Sequence, residues 1–190
     1  MSGRTIYYTA TTLDGFIADP GDSLAWLFGQ ESDPCGPLGY EAFIAGVGAL
    51  VMGATTYEWV RAHLDHSGEP WPYSHPTWVM TRRQLPSAGG ADVRMAEGDV
   101  ARVHAELVVA AAGRDVWVVG GGDLAGQFAD AGLLDEVIVS VAPVTLGQGR
   151  PLLPRRLQLR VIETARNGDF VASRYSVEGR GSWNGSQGGV

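Results

Sequence analysis

The stretch Val116-Trp-Val-Val-Gly-Gly-Gly-Asp-Leu-Ala-Gly-Gln-Phe128 decides how this chain is read. Val116, Val118 and Val119 form an apolar, β-branched run suited to a buried strand. Leu124, Phe128 and Ala131 then recur at helical spacing. Between the two, Gly120, Gly121 and Gly122 place bare amides at a helix N-terminus. Such a turn suits a phosphate. No Cβ blocks the approach, the first N–H groups lack helical acceptors, and the helix dipole favours an anion. The same glycines also serve a tight connection with no ligand. A dinucleotide fingerprint can be forced onto Gly120, Gly122 and Ala125, but that turn normally follows the first strand of its unit. Here several elements come first, so the rest of the chain must decide.

Composition narrows the classes. The chain has 190 residues, 45% of them hydrophobic and 18% charged, which suits one soluble domain with a sizeable core. A formal net charge of −7 argues against general nucleic-acid binding. All 14 basic residues are arginine, so lysine chemistry is excluded. The single cysteine, Cys35, precludes an internal disulfide and fits a cytoplasmic protein. No signal peptide or membrane-spanning run is expected. His63, His66, His75 and His104 lack metal-ligand spacing, so no metal site is expected.

Ile6 to Thr12 reads as a first strand, followed by a loop over residues 13–37. Tyr40, Phe43, Ile44 and Val47 give an i, i+3, i+4, i+7 helix face. Ala49 to Met52 is a short buried strand, and Thr55 or Thr56 is placed to cap the next helix. Strands are expected at Thr77 to Thr81, Ala91 to Ala96 and Glu136 to Ala142, with a helix capped by Asp99. Leu157 to Ala165 and Phe170 to Val177 flank Asn167-Gly168, a hairpin signal. Residues 179–190 are rich in Gly and Ser and read as a disordered tail, leaving residues 1–178 as the domain. The hairpin and its strand edge predict a homodimer.

Three strand ends share one design. They are Met52-Gly53-Ala54-Thr55-Thr56-Tyr57, Val79-Met80-Thr81-Arg82-Arg83 and the Gly120–Gly122 turn. In an α/β sheet such ends lie along one edge, where ligands bind. Threonine hydroxyls and helix amides suit phosphate oxygens. Arg82 and Arg83 suit a further phosphate or a purine face, or are simply solvated.

Here the sequence resembles the dihydrofolate-reductase-like superfamily, in the branch of the reductase domain of riboflavin biosynthesis. The segments that carry this are Thr12-Leu-Asp-Gly-Phe-Ile-Ala18, Val51-Met-Gly-Ala-Thr-Thr-Tyr-Glu58, Val79-Met-Thr-Arg82 and Val118-Val-Gly-Gly-Gly122. Gly132-Leu-Leu-Asp-Glu-Val137 and Pro143-Val-Thr-Leu-Gly-Gln-Gly-Arg-Pro-Leu-Leu153 complete the set. Each motif is weak alone, but the ordered set spans most of residues 5–177. The resemblance implies a single-domain α/β three-layer sandwich, with a mostly parallel central sheet ending in an antiparallel hairpin. It implies NADPH as cofactor and hydride transfer to a small pterin- or pyrimidine-like heterocycle. It assigns the pyrophosphate to Gly120, Gly121 and Gly122, with Asp123 and Leu124 following. Gly53, Ala54, Thr55 and Thr56 hold phosphate from the other side, and Thr81, Arg82 and Arg83 lie near the adenosine 2′-phosphate. Ala10, Ile17 and Ala18 border the nicotinamide. Thr12, Trp26, Phe28 and Tyr40 border the substrate.

Two positions depart from the family pattern. Ala54 stands where the family often has arginine, and Asp123 where dihydrofolate reductases often carry a basic residue. NADPH preference over NADH then falls to Arg82. The candidate proton donors are Asp14, Glu31 and Asp33. Asp14 also suits turn geometry, and the other two also suit a solvated loop. The competing function is a nucleotide-binding regulatory or structural protein that kept the fold without turnover.

Overall fold

The Val116 run becomes a central strand because both of its faces are covered. In the computed structural model, which describes residues 3–181, Val116 and Val118 pack into one apolar layer and Trp117 into another. In chain order the elements are β1 (Thr5–Thr12), β2 (Phe16–Ala18), α1 (Ala25–Phe28), α2 (Tyr40–Ala45), β3 (Val47–Gly53) and α3 (Ala54–Ser67). There follow β4 (Thr77–Met80), β5 (Val93–Ala96), α4 (Val100–Ala111), β6 (Asp115–Gly120) and α5 (Gly122–Asp130). The chain then forms β7 (Glu136–Ala142), β8 (Arg150–Pro151), β9 (Leu157–Asn167) and β10 (Phe170–Arg180).

Eight strands make one sheet in the order β5-β4-β3-β6-β1-β7-β10-β9. All neighbours from β5 to β7 run parallel, and β10 is antiparallel to both β7 and β9. The two sheet faces carry separate cores. Val103 and Leu107 of α4 and Leu124 and Phe128 of α5 pack with Val51, Val116 and Val118. On the other face, Tyr40, Phe43 and Ile44 of α2 cover Leu50 and Trp117, while Tyr57 of α3 covers Met52 and Val79. Full burial of Phe128 alone contributes about 1.5–3 kcal/mol. This is the expected three-layer sandwich, with a mostly parallel sheet and a C-terminal antiparallel pair.

Several local expectations shift. The helix read through Val47 stops at Ala45, where Gly46 donates its N–H to Phe43, and Val47 opens β3 instead. Residues 13–37 are not one loop, for they hold β2 and α1, and β2 pairs with β8 as a separate two-stranded ribbon. Neither Thr55 nor Thr56 caps α3. The N-cap is Gly53, and no side chain bonds the first amides. Asp99 does cap α4, accepting from the Ala101 amide. The hairpin turn centres on Gly168-Asp169 rather than Asn167-Gly168, because Asn167 is still paired with Phe170. Gly168 takes the positive φ of 60°. Strand β10 continues to Arg180, so it occupies the first two positions of the expected tail. Residues 182–190 of that tail lie outside the described residues.

Candidate active site

The carboxyl ends of the parallel strands converge on a cavity of about 560 Å³. Strand β1 contributes Thr9 and Ala10, β3 contributes Gly53, β4 contributes Met80, and β6 contributes Val119 and Gly120. Two helices begin at its wall. Ala54, Thr55 and Thr56 open α3, and Gly122, Asp123 and Leu124 open α5. Neither helix has a side-chain N-cap, so their first-turn amides keep their donor capacity for a ligand. Ile17 and Ala18 of β2 and Arg150 and Pro151 of β8 close one side. Leu24, Trp26 and Leu27 from in and around α1 and Trp59 of α3 also line it.

The glycines here have different reasons. An added Cβ on Gly53 would meet only the Gly120 carbonyl oxygen, at 3.9 Å, so the protein itself leaves that space open. At Gly120 a Cβ would lie 3.2 Å from the Thr56 hydroxyl. At Gly122 it would collide with the carbonyl oxygens of Pro151 and Leu152, so packing alone demands glycine. The Gly120–Gly121 peptide is cis.

Three charged side chains line the cavity, and each is already partnered. Asp22 is gripped by Arg150, whose Nε and Nη2 donate to Oδ1 and Oδ2 at 2.6 and 3.0 Å. The Arg150 hydrogen bonds hold the Asp22 carboxyl below the usual range. Asp123 accepts from Gln127 at 2.9 Å and from Arg155 at 2.8 Å, and these two contacts, Gln127 first, hold it low as well. Its charge beside the α5 amides is thus offset by Arg155. Neither carboxylate is set up as a proton donor.

Of the residues singled out from sequence, Ala10, Ile17, Ala18, Gly53 to Thr56, Gly120 to Leu124 and Trp26 line the cavity together. Others do not. Thr81 follows Met80 at the end of β4, where its hydroxyl accepts from the Arg83 amide. Arg83 is held bidentate by Glu58 at 3.0 and 2.6 Å, and Arg82 beside it is exposed. Thr12 is buried, donating to Asp14 and accepting from the Phe16 amide at 3.1 Å. Asp14 clasps the turn. The Thr12 hydroxyl first, then the Gly147 and Leu146 amides, hold its carboxyl below the usual range, which suits an anchor and not an acid. Glu31 and Asp33 are exposed and pinned by their own amides to Asp169 and Asn167 of the hairpin, away from the cavity lining. Tyr40 packs edge-on against Trp117 in the core beneath α2. Phe28 is exposed and stacks on Trp59 and His63 at the cavity margin.

Sequence reasoning missed the lining residues Asp22, Leu24, Leu27, Trp59, Gln127 and Arg150, among others. Trp59 lies three and four residues beyond Thr56 and Thr55, on the same helix face, and that spacing was available as a signal. Gln127 stands in the same relation to Asp123. Nothing local announces the Asp22–Arg150 pair, because its members are 128 positions apart. Among the described residues no group of three or more His, Cys, Asp or Glu is placed to hold a metal ion. No helix there is long and apolar enough to cross a membrane.

Comparison with known proteins fits this geometry to a family. The model of the RibD C-terminal domain matches residues 71–169. The chain belongs to the RibD C-terminal domain family. The uncharacterized protein YwjB of Bacillus subtilis (strain 168) is 30% identical over 178 residues, covering 92% of this chain and 98% of YwjB. A crystal structure from Shewanella sp. PV-4, named for riboflavin biosynthesis, superposes with a TM-score of 0.77 at 28% identity, over 94% of this chain and 99% of that one. Dihydrofolate reductase from Enterococcus faecalis, complexed with NADP(H), gives a TM-score of 0.57 at 16% identity, over 94% and 98% of the two chains. That last likeness concerns the fold alone. This RibD C-terminal domain therefore has the dihydrofolate-reductase-like fold, and its cavity lies at the carboxyl edge of the parallel strands.

Proposed function

We propose that this protein is an NADPH-dependent reductase that passes a hydride to a small pterin- or pyrimidine-like heterocycle. The observation that carries this is one cavity lined by two uncapped helix N-termini and by apolar side chains that include Trp26 and Trp59. The residues fit the cofactor. First-turn amides of α3 and α5 would hold the pyrophosphate, with the Thr55 and Thr56 side chains beside them. Arg82, exposed past the end of β4, would meet the 2′-phosphate, since Arg83 is occupied by Glu58. Ala10, Ile17 and Ala18 would border the nicotinamide, and the small side chains of Ala10 and Ala18 permit close approach. When bound, the cofactor supplies the hydride.

The chain's own part is binding, orientation and exclusion of water. Leu24, Trp26, Leu27 and Trp59 offer flat and apolar walls to a heterocycle. The substrate's proton comes from solvent in this reading, because Asp22 and Asp123 are ionised and Asp14, Glu31 and Asp33 lie outside the lining. That same lack of an acid favours a second reading, a nucleotide-binding protein without turnover.

Cofactor oxidation with a panel of dihydropterins and aminopyrimidines separates the two. Turnover of any panel member supports the reductase. Saturable NADPH binding with no turnover across the panel supports the second reading. Arg82 is tested by titrating NADPH and NADH. Arg82→Ala is expected to weaken NADPH by about tenfold and leave NADH unchanged. Equal affinities in the unaltered protein would remove Arg82 from the account.

A further inference from the structure

Arg150 is the one cationic side chain among the described residues that line the cavity. It is not left to a ligand. One carboxylate, Asp22, takes its Nε and Nη2 edge. An edge remains, but the pair is electrically neutral. Asp22 is also held in place. It sits at φ 63°, its amide donates to the Asp19 carbonyl, and the Asp19 carboxylate accepts from the Gly21 and Ser23 amides at 2.8 Å each. Across the ribbon, Ala18 pairs with Arg150, which fixes the arginine opposite this loop. The other charge on the lining is Asp123, which an anion would avoid. His63 stacks behind on Trp59 and Phe28 and does not line the cavity. In the reductase reading the two helix starts take the cofactor. Among the described residues that line the cavity no unpaired cation is left for a second phosphate, and Leu24, Trp26, Leu27 and Trp59 make much of the remaining wall apolar.

We propose that Asp22 is a specificity residue: by neutralising Arg150 it makes the site take flat, uncharged heterocycles and reject phosphorylated ones. The inference rests on the reductase reading for which end of the cavity the substrate uses. It sets this chain apart from a reductase acting on a phosphoribosyl pyrimidine.

The test uses three probes, 6,7-dimethylpterin, uridine and uridine 5′-phosphate. Each is titrated by quenching of tryptophan emission, with and without saturating NADPH. The variants are Asp22→Asn and the double variant Asp22→Asn/Arg150→Gln. Asparagine keeps the shape and tolerates the left-handed backbone, so the loop is preserved. The unaltered protein is expected to bind dimethylpterin, and to bind uridine 5′-phosphate no more tightly than uridine. Asp22→Asn is expected to raise affinity for uridine 5′-phosphate by about tenfold while leaving uridine unchanged. The double variant loses that gain. A roughly tenfold preference for uridine 5′-phosphate in the NADPH-saturated unaltered protein overturns the proposal. So does an unchanged ratio in Asp22→Asn, or no binding of any probe at millimolar concentration. Failure of NADPH itself to bind overturns the reductase reading instead, and the Asp22 effect is then read only as the change in the uridine 5′-phosphate to uridine ratio between the unaltered protein and Asp22→Asn, which the helix starts do not alter.

Discussion

Gly53 and Gly122 both lack a Cβ at the cavity wall, but for opposite reasons. Gly53 faces space that the protein leaves open, in an extended conformation any residue adopts. Gly122 faces the backbone of residues 151 and 152. Gly53→Ala is therefore expected to weaken NADPH binding by about tenfold with little change in melting temperature. Gly122→Ala is expected to lower the melting temperature, because backbone must move to admit the methyl group. Calorimetry and cofactor titration on the two variants check both outcomes. The sequence marks these glycines as a group without separating the roles, since separation depends on β8, which arrives from elsewhere in the chain. Asp14 teaches a related lesson. Its position after the first strand is visible from sequence, but its partners at 146 and 147 are not, and they make it an anchor.

At the scale of elements, the long segments were legible and the short ones were not. The α4 helix announces itself through Asp99 and its periodic valines and leucines. By contrast β2, α1 and β8 have three, four and two residues, too few for any periodicity to develop. Those short elements build a wall of the cavity, which is why much of the site was hidden. The loop that carries α1 is moored by the hairpin. Asn167 accepts from the Asp33 amide and donates to the Asp33 and Pro37 carbonyls, and all three bonds are 2.8–3.1 Å long. Asn167→Ala is expected to cost about 1–3 kcal/mol and to speed proteolysis within residues 30–38. Denaturant titration and limited digestion measure these. At the far end of the sheet, Glu136 joins Arg4 and Arg174 at 2.7–3.0 Å. Glu136→Ala leaves both guanidinium groups without this carboxylate and is expected to cost about 2–4 kcal/mol, with NADPH affinity unchanged.

For the whole molecule, the order of motifs along the chain was enough to reach the fold. Each strand end contributes to one edge, and a sheet of this order brings those ends together. Long-range pairings such as Asp22 with Arg150 were beyond reach, because register across the β2–β8 ribbon sets them. Burial also gives the molecule a predictable response to acid. Desolvation holds His75 and His104 below the usual imidazole value of 6.5. Below that value the unfolded chain binds these protons before the folded one does. Stability is therefore full above about pH 6.5 and falls as pH drops toward the lowered native values. His104→Gln keeps a polar partner for the Thr5 hydroxyl and removes one titrating group. Its melting temperature is expected to fall less steeply on acidification.

The central claim is that one cavity takes the nicotinamide cofactor between α3 and α5, within reach of Trp26 and Trp59 on the same lining. Energy transfer from tryptophan to NADPH measures this directly, because Trp26 and Trp59 line that same cavity. The account predicts saturable sensitised cofactor emission in the unaltered protein, with tighter binding than in Gly53→Ala and a smaller transfer in Trp59→Phe. Absence of saturable transfer at millimolar NADPH, or identical titrations for all three proteins, would contradict it.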